Sequence, residues 1–223
     1  MPGSSSACSV AMMTERPILF SAPMIRALLA GTKSQTRRAM KPQPGERIWT
    51  DSKTGLLMTD IAHKYGASTA LFCKYGKAGD RLYVRETAWQ RPERTQKMMR
   101  EGADTWPPFI YDADYPAGLP WEERDNLKTW GWKRRPSIHL PRLGSRITLE
   151  VEAVRVERLR EISASDALAE GIDRPREIFD GDRSCGMQDP VLMYRSIWEQ
   201  INGQGSWSAN PWVWVIEFRR VTP

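Results

Sequence analysis

The sequence predicts an α+β fold: a mixed β-barrel with helices on its rim and long loop insertions. Three observations predict it. The element signals run strand, helix, strands, short helix, long helix, strand, without the strand–helix alternation of a doubly wound sheet. The stretch Trp212-Val213-Trp214-Val215-Ile216-Glu217-Phe218 starts apolar on both faces, as a central strand closing a barrel would. A length of 223 residues, 40% of them hydrophobic, with 10 tryptophans, suffices for the core of one large domain. That domain is expected over 15–221, with insertions near 43–78, 90–135 and 173–188. The Ser- and Ala-rich start, 1–14, reads as a disordered leader or start-site extension. It lacks the basic n-region and long apolar h-region of a signal peptide.

Taken in order, Pro17-Ile18-Leu19-Phe20 reads as a short buried strand. Ser21 is placed to cap the next helix and Pro23 is tolerated in its first turn, where amide hydrogens are unpaired. Met24, Ile25, Leu28 and Leu29 give that helix an apolar face, and Gly31 suits its left-handed stop. A hairpin is expected through Arg47-Ile48-Trp49 and Leu56-Leu57-Met58. Arg81–Glu86 alternates, with Leu82 and Val84 inward. Residues 90–135 carry Trp106-Pro107-Pro108, Pro116, Gly118 and Pro120, which break any period, and read as an ordered loop insertion.

Arg146–Val151 alternates cleanly, but Val154 and Val156 follow out of phase. A β-bulge near Glu152-Ala153 reconciles the halves. Ser163 and Asp166 form a capping box for a short helix that Gly171 ends. Asp189 and Pro190 open a longer helix with Val191, Tyr194, Ile197, Trp198 and Ile201 on one face, and Asn202-Gly203 closes it.

The residues with chemistry begin at the first helix stop. After Gly31 come Lys33, Thr36, Arg37 and Arg38: an ammonium, a hydroxyl and two guanidiniums. On a tight turn or short helix Lys33 and Thr36 share a face. A solvated basic turn beyond a helix C-terminus accounts for the same residues. The formal charge of +6 suits a polyanionic partner without naming one. From Thr129 to Leu149 there is no acid, while Lys133, Arg134, Arg135, Arg142 and Arg146 supply cations beside Trp130 and Trp132. Two readings stand: a surface that follows phosphates and stacks bases, or a basic loop whose tryptophans cover the core. Arg85 and Trp89 flank one strand as further binding candidates, although core packing also explains Trp89.

The cysteines Cys8, Cys73 and Cys185 are odd in number and widely spaced, so neither a disulfide scaffold nor a zinc site is expected. His63 and His139 stand alone, and no metal or other cofactor is assigned. The cysteine pattern makes a reducing cytoplasm the default, and no apolar run approaches the roughly 20 residues a bilayer crossing requires, so no membrane partner is expected. The oligomeric state is left open.

These residues resemble the ASCH family, a branch of the PUA-like β-barrel superfamily. Its signature is a GxK turn after the first helix, usually GxKxxExR. Gly31, Lys33 and Arg38 match, and Thr36 stands in place of glutamate. This GxKxxTxR form is similar to that of the small bacterial N4-acetylcytidine amidohydrolases, and the larger chain resembles ASCH proteins of bacterial and phage genomes. The Gly79-Asp80-Arg81-Leu82 strand entry, the Ser163–Gly171 helix and the final strand also fit. The resemblance implies a PUA-like barrel and a Lys33–Thr36–Glu170 triad hydrolysing the amide of an N4-acylated cytidine. Arg37, Arg38, Arg85, Trp89, Arg134, Arg135, Arg142 and Arg146 would hold the nucleoside or nucleic acid, RNA in preference to DNA. The alternatives are a non-catalytic RNA- or DNA-binding module and, third, a ribonuclease. Each triad residue also has a plain explanation: a turn hydroxyl for Thr36, an exposed helix end for Glu170, an ordinary ion pair for Lys33 with Glu170.

Overall fold

The computed structural model describes residues 14–45, 47–60, 68–92, 107–115, 117–172, 179–180, 183–184 and 189–221. The expected leader, His63, Cys8, Cys185 and most of 173–188 lie outside them. The chain runs β1 (Glu15–Leu19), α1 (Ala22–Leu29), β2 (Gln35–Ala39), β3 (Ile48–Thr50), β4 (Leu57–Asp60), β5 (Ser68–Ala70), β6 (Arg81–Arg85), β7 (Ala88–Gln90) and β8 (Phe109–Tyr111). It continues through α2 (Trp121–Thr129), β9 (Lys133–Arg135), β10 (Thr148–Arg158), α3 (Ala164–Ala169), β11 (Phe179–Asp180), β12 (Arg183–Ser184), α4 (Pro190–Asn202) and β13 (Trp212–Val221). The fold is mixed α+β.

The central sheet has the order β1-β6-β10-β13-β2. β1 runs parallel to β6, and the remaining pairs are antiparallel. The closed barrel expected from the strand order is not formed. Among the described residues no sheet closes, and β1 and β2 are the two edges of this one. A side chain spans the gap between them, since Arg38 Nη2 donates to Leu19 O at 2.8 Å where a barrel would place a backbone ladder.

β13 explains why its sequence is apolar on both faces. Trp214, Ile216 and Phe218 join Phe20, Ile25, Leu28, Leu82, Val84 and Leu149 in one core under α1. Val213 and Val215 face the opposite way and pack with Leu159, Ala167, Tyr194 and Trp198 under α3 and α4. Burying both faces of one strand follows from a sheet covered on both sides. The bulge lies between Val151 and Ala153, as expected. The 48–50 and 57–60 hairpin forms too, extended by β5.

The described parts of the 90–135 insertion carry regular secondary structure. β7, β8 and β9 form a small sheet, and α2 closes over it. Only Leu127 is buried on α2, so the helix has no apolar stripe for periodicity to detect. Ser21 occupies the N-cap of α1, but its side chain makes no capping hydrogen bond. On α3 the Ser163–Asp166 capping box is present.

Candidate functional site

The site is assembled where two helix ends meet. α1 stops at Gly31, whose φ of +76° is the left-handed cap conformation. The Thr32 and Lys33 amides donate back to Ala27 O at 3.0 and 3.2 Å. Ser34 N then donates to Ala169 O at 2.9 Å, and Phe218 N to Ser34 O at 2.9 Å, tying the turn to α3 and β13. α3 ends at Glu170, and Gly171 has φ +86°. A Cβ there would stand 2.7 Å from Ala27 Cβ and 3.0 Å from Lys33 Cβ. Glycine is thus required twice, for its backbone angle and for close approach.

This junction sets Lys33 and Glu170, 137 residues apart in sequence, side by side in an isolated β-bridge. Lys33 Nζ donates to Glu170 Oε2 at 2.9 Å, Glu170 O at 2.7 Å and Gln35 O at 2.8 Å. An ammonium has three hydrogens to give, and each has an acceptor. Burial pushes the Lys33 amine below its ordinary value. The Glu170 carboxylate opposes that shift, while Arg38 and Arg37 add to it.

The segment leading into β2 is extended, so the expected tight turn or short helix carrying Lys33 and Thr36 on one face is corrected. Strand alternation instead sends Lys33, Gln35 and Arg37 toward the acids at α3. Gln35 Nε2 donates to Asp166 O and Oδ1 at 3.0 and 3.2 Å. Arg37, 1% exposed, donates through Nη2 to Glu157 Oε2 and Asp166 Oδ2, each at 3.0 Å. Burial works against the Asp166 carboxylate, but its bonds from Ser163, the Arg37 charge and the Gln35 amide hold it below the usual range. Thr36 is fully buried, and its hydroxyl has no hydrogen-bond partner among the described residues.

Beside this cluster opens a cleft of about 630 Å³. Phe20, Arg37, Arg38, Glu170, Tyr194 and Trp198 form much of its wall, whereas Lys33 and Thr36 are not among its lining residues. Lys33 Nζ stands 5.4 Å and Arg38 Cζ 5.1 Å from the Phe20 ring centroid. Tyr194 and Trp198 are functional candidates that the sequence hid. Their helical spacing reads as core, and α4 uses that stripe both to pack on β13 and to wall the cleft. Ile201, on the same helix face, is 59% exposed at the cleft edge. Burial pushes the Tyr194 hydroxyl well above its ordinary value, and Glu170 adds to the shift.

The other predicted binding residues are largely engaged elsewhere. Arg85 donates through Nε to Leu140 O at 2.8 Å and also to Ile138 O, fastening the 137–140 turn. Trp89 is buried with Leu119, Leu127 and Trp132, so it is a core residue and not a base-stacking platform. Arg135 bonds the Gln90 side chain at 2.8 Å. Arg142 pairs with both Glu15 oxygens at 2.8 and 2.7 Å and lies over Tyr83. Arg146 is chelated by Glu86 and Asp114 above the Tyr111 ring. Arg134 lines the cleft, paired with Asp112 at 2.7 Å. His139 is exposed. Among the described residues no group of His, Cys, Asp and Glu has the arrangement of a metal site, and no helix is long and apolar enough to cross a membrane.

Comparison with protein-family models, with curated proteins and with solved structures finds no match to this chain. The chemistry therefore has to be read from the geometry. A desolvated lysine–glutamate pair can exchange a proton. Beside it, a half-apolar cleft with guanidiniums and aromatic rings suits a flat, polar-edged ligand.

Proposed function

We propose that the cleft is the nucleoside pocket of an ASCH-type, PUA-like protein, and that it hydrolyses the amide of an N4-acylated cytidine or a related modified base. The observation that carries this reading is the 2.9 Å contact between Lys33 and Glu170, which joins the GxK turn to the end of the short helix. The family resemblance pairs the same two positions. Phe20 and Trp198 contribute aromatic side chains to the cleft wall, and Arg38 and Arg134 supply positive charge for a nucleoside or an RNA strand. The partner is RNA in preference to DNA, in the cytoplasm.

In this reading Lys33 passes a proton to Glu170, leaving a neutral amine and a carboxylic acid. The amine takes the Thr36 hydroxyl proton as its oxygen bonds to the acyl carbon. The C–N4 bond breaks, and Glu170 protonates the departing nitrogen. Water then cleaves the acyl–Thr36 ester, restoring the hydroxyl and releasing a carboxylate, with the remaining proton passing to solvent. The depressed Lys33 amine lowers the cost of the first transfer.

Acetate release from N4-acetylcytidine and from acetylated RNA tests the proposal. Turnover by the native chain that disappears in Lys33→Met, Thr36→Ala and Glu170→Gln supports it. No release from either substrate removes the hydrolytic reading. One observation favours a second reading, binding without hydrolysis: the Thr36 hydroxyl is buried, unbonded among the described residues and absent from the cleft wall. Cytidine binding without acetate release would select that reading.

A further inference from the structure

Arg37 and Glu170, side by side at the cleft, each keep hydrogen-bonding capacity that the described residues do not use. Arg37 spends Nη2 on Glu157 and Asp166. Glu170 spends Oε2 on Lys33. Among the described residues Arg37 Nε and Nη1 and Glu170 Oε1 are buried and make no hydrogen bond, and Nη1 and Oε1 face one another as an ion pair at 3.6 Å. The residues that carry them line the cleft and are 1% and 5% exposed. A buried donor and a buried acceptor left unsatisfied cost stability, and native proteins rarely leave them so without a use.

We infer that this pair reads the edge of the bound base: Arg37 Nη1 donates to a ring acceptor while Glu170 Oε1 accepts from the adjacent N–H. The matching ligand class is a neutral planar heterocycle with an acceptor and an N–H donor on neighbouring positions. Cytidine and its N4-acyl derivatives present that edge as N3 and N4–H. A carboxylate would meet Glu170 Oε1, and a cation would meet Arg37. Both side chains are pinned at their other ends, so the reading edge is held in place before the ligand arrives. Arg37 is a specificity-determining residue here, and it is not one of the matched signature positions. The inference rests on the nucleoside-pocket reading and adds the chemistry of recognition to it.

Calorimetric titration with three unreactive ligands tests the inference: cytidine, 3-deazacytidine, which lacks the ring acceptor, and N4,N4-dimethylcytidine, which lacks the donor. The native chain is expected to bind cytidine about tenfold or more tightly than either analogue, the range for a hydrogen bond to a charged group. Arg37→Lys keeps a cation for Glu157 and Asp166, and it should lose the preference over 3-deazacytidine while keeping that over the dimethyl analogue. Equal affinity of the native chain for all three would overturn the edge reading and leave the pocket standing. Absence of binding to any nucleoside would overturn the pocket and the inference together. The ligand series uses the native chain, so its outcome holds even where the Arg37→Lys variant fails to fold.

Discussion

Two groups of cations in this protein have opposite fates. Lys33 and Arg37 lie in the interior, at 4% and 1% exposure, and face Glu170, Asp166 and Glu157. Arg134, Arg142 and Arg146 belong to the run 133–146, which carries no acid. Each of them pairs with an acid from a distant part of the chain: Asp112, Glu15, and Glu86 with Asp114. Charge density along a chain does not make a positive surface, because folding recruits counter-charges from elsewhere. The buried pair is the more informative of the two, since desolvated charges are expensive and are kept only in a tightly determined setting.

Breaking the buried side should have the largest effect. Glu170→Ala leaves the Lys33 ammonium without its carboxylate, and chemical denaturation should show a loss of about 3–5 kcal/mol. Trp89→Ala should cost a similar amount, about 3–5 kcal/mol, through its cavity. Nucleoside affinity should hardly change, because Trp89 belongs to the core beneath α2. Retained stability with lost binding would restore it as a stacking platform. Gly171→Ala adds a Cβ at a positive φ and against Ala27, and a loss of about 1–3 kcal/mol is expected from its melting curve. At the small end, Arg142→Ala should change stability by about 0–1 kcal/mol, as exposed ion pairs do.

The Lys33 amine sharpens the contrast through pH. Its folded value lies below the ordinary 10.5. Between the lowered value and 10.5 the unfolded chain holds a proton that the folded chain has released, so this residue makes stability rise with pH in that window. Denaturation of the native chain and of Lys33→Met across that window should show the native curve gaining on the variant as pH climbs. Parallel curves would mean that the lysine is not desolvated.

Much of the scaffold was legible because local signals agreed. Gly31, the Ser163–Asp166 box, the Gly171 stop and the bulge after Val151 all express backbone requirements that only certain residues meet. The turn residues Lys33 and Arg37 and the partner Glu170 were also identifiable, although their side-by-side placement is a tertiary fact. What could not be read was anything decided by another segment. The open edge spanned by Arg38 to Leu19 O depends on where β1 ends. The engaged state of the basic run depends on acids up to 127 residues away, as with Arg142 and Glu15. Tyr194 and Trp198 look like core from helical spacing, because a stripe that packs on a strand and a stripe that walls a cleft have the same period.

The central claim is that ligand is held in the cleft beside the buried Lys33–Glu170 junction and not along 140–146. Hydrogen–deuterium exchange with and without saturating cytidine tests it directly. Protection should concentrate at 19–24, 35–39 and 194–202, the segments that wall the cleft. Protection at 140–146 with none at those three segments would contradict it and return the binding surface to the arginines.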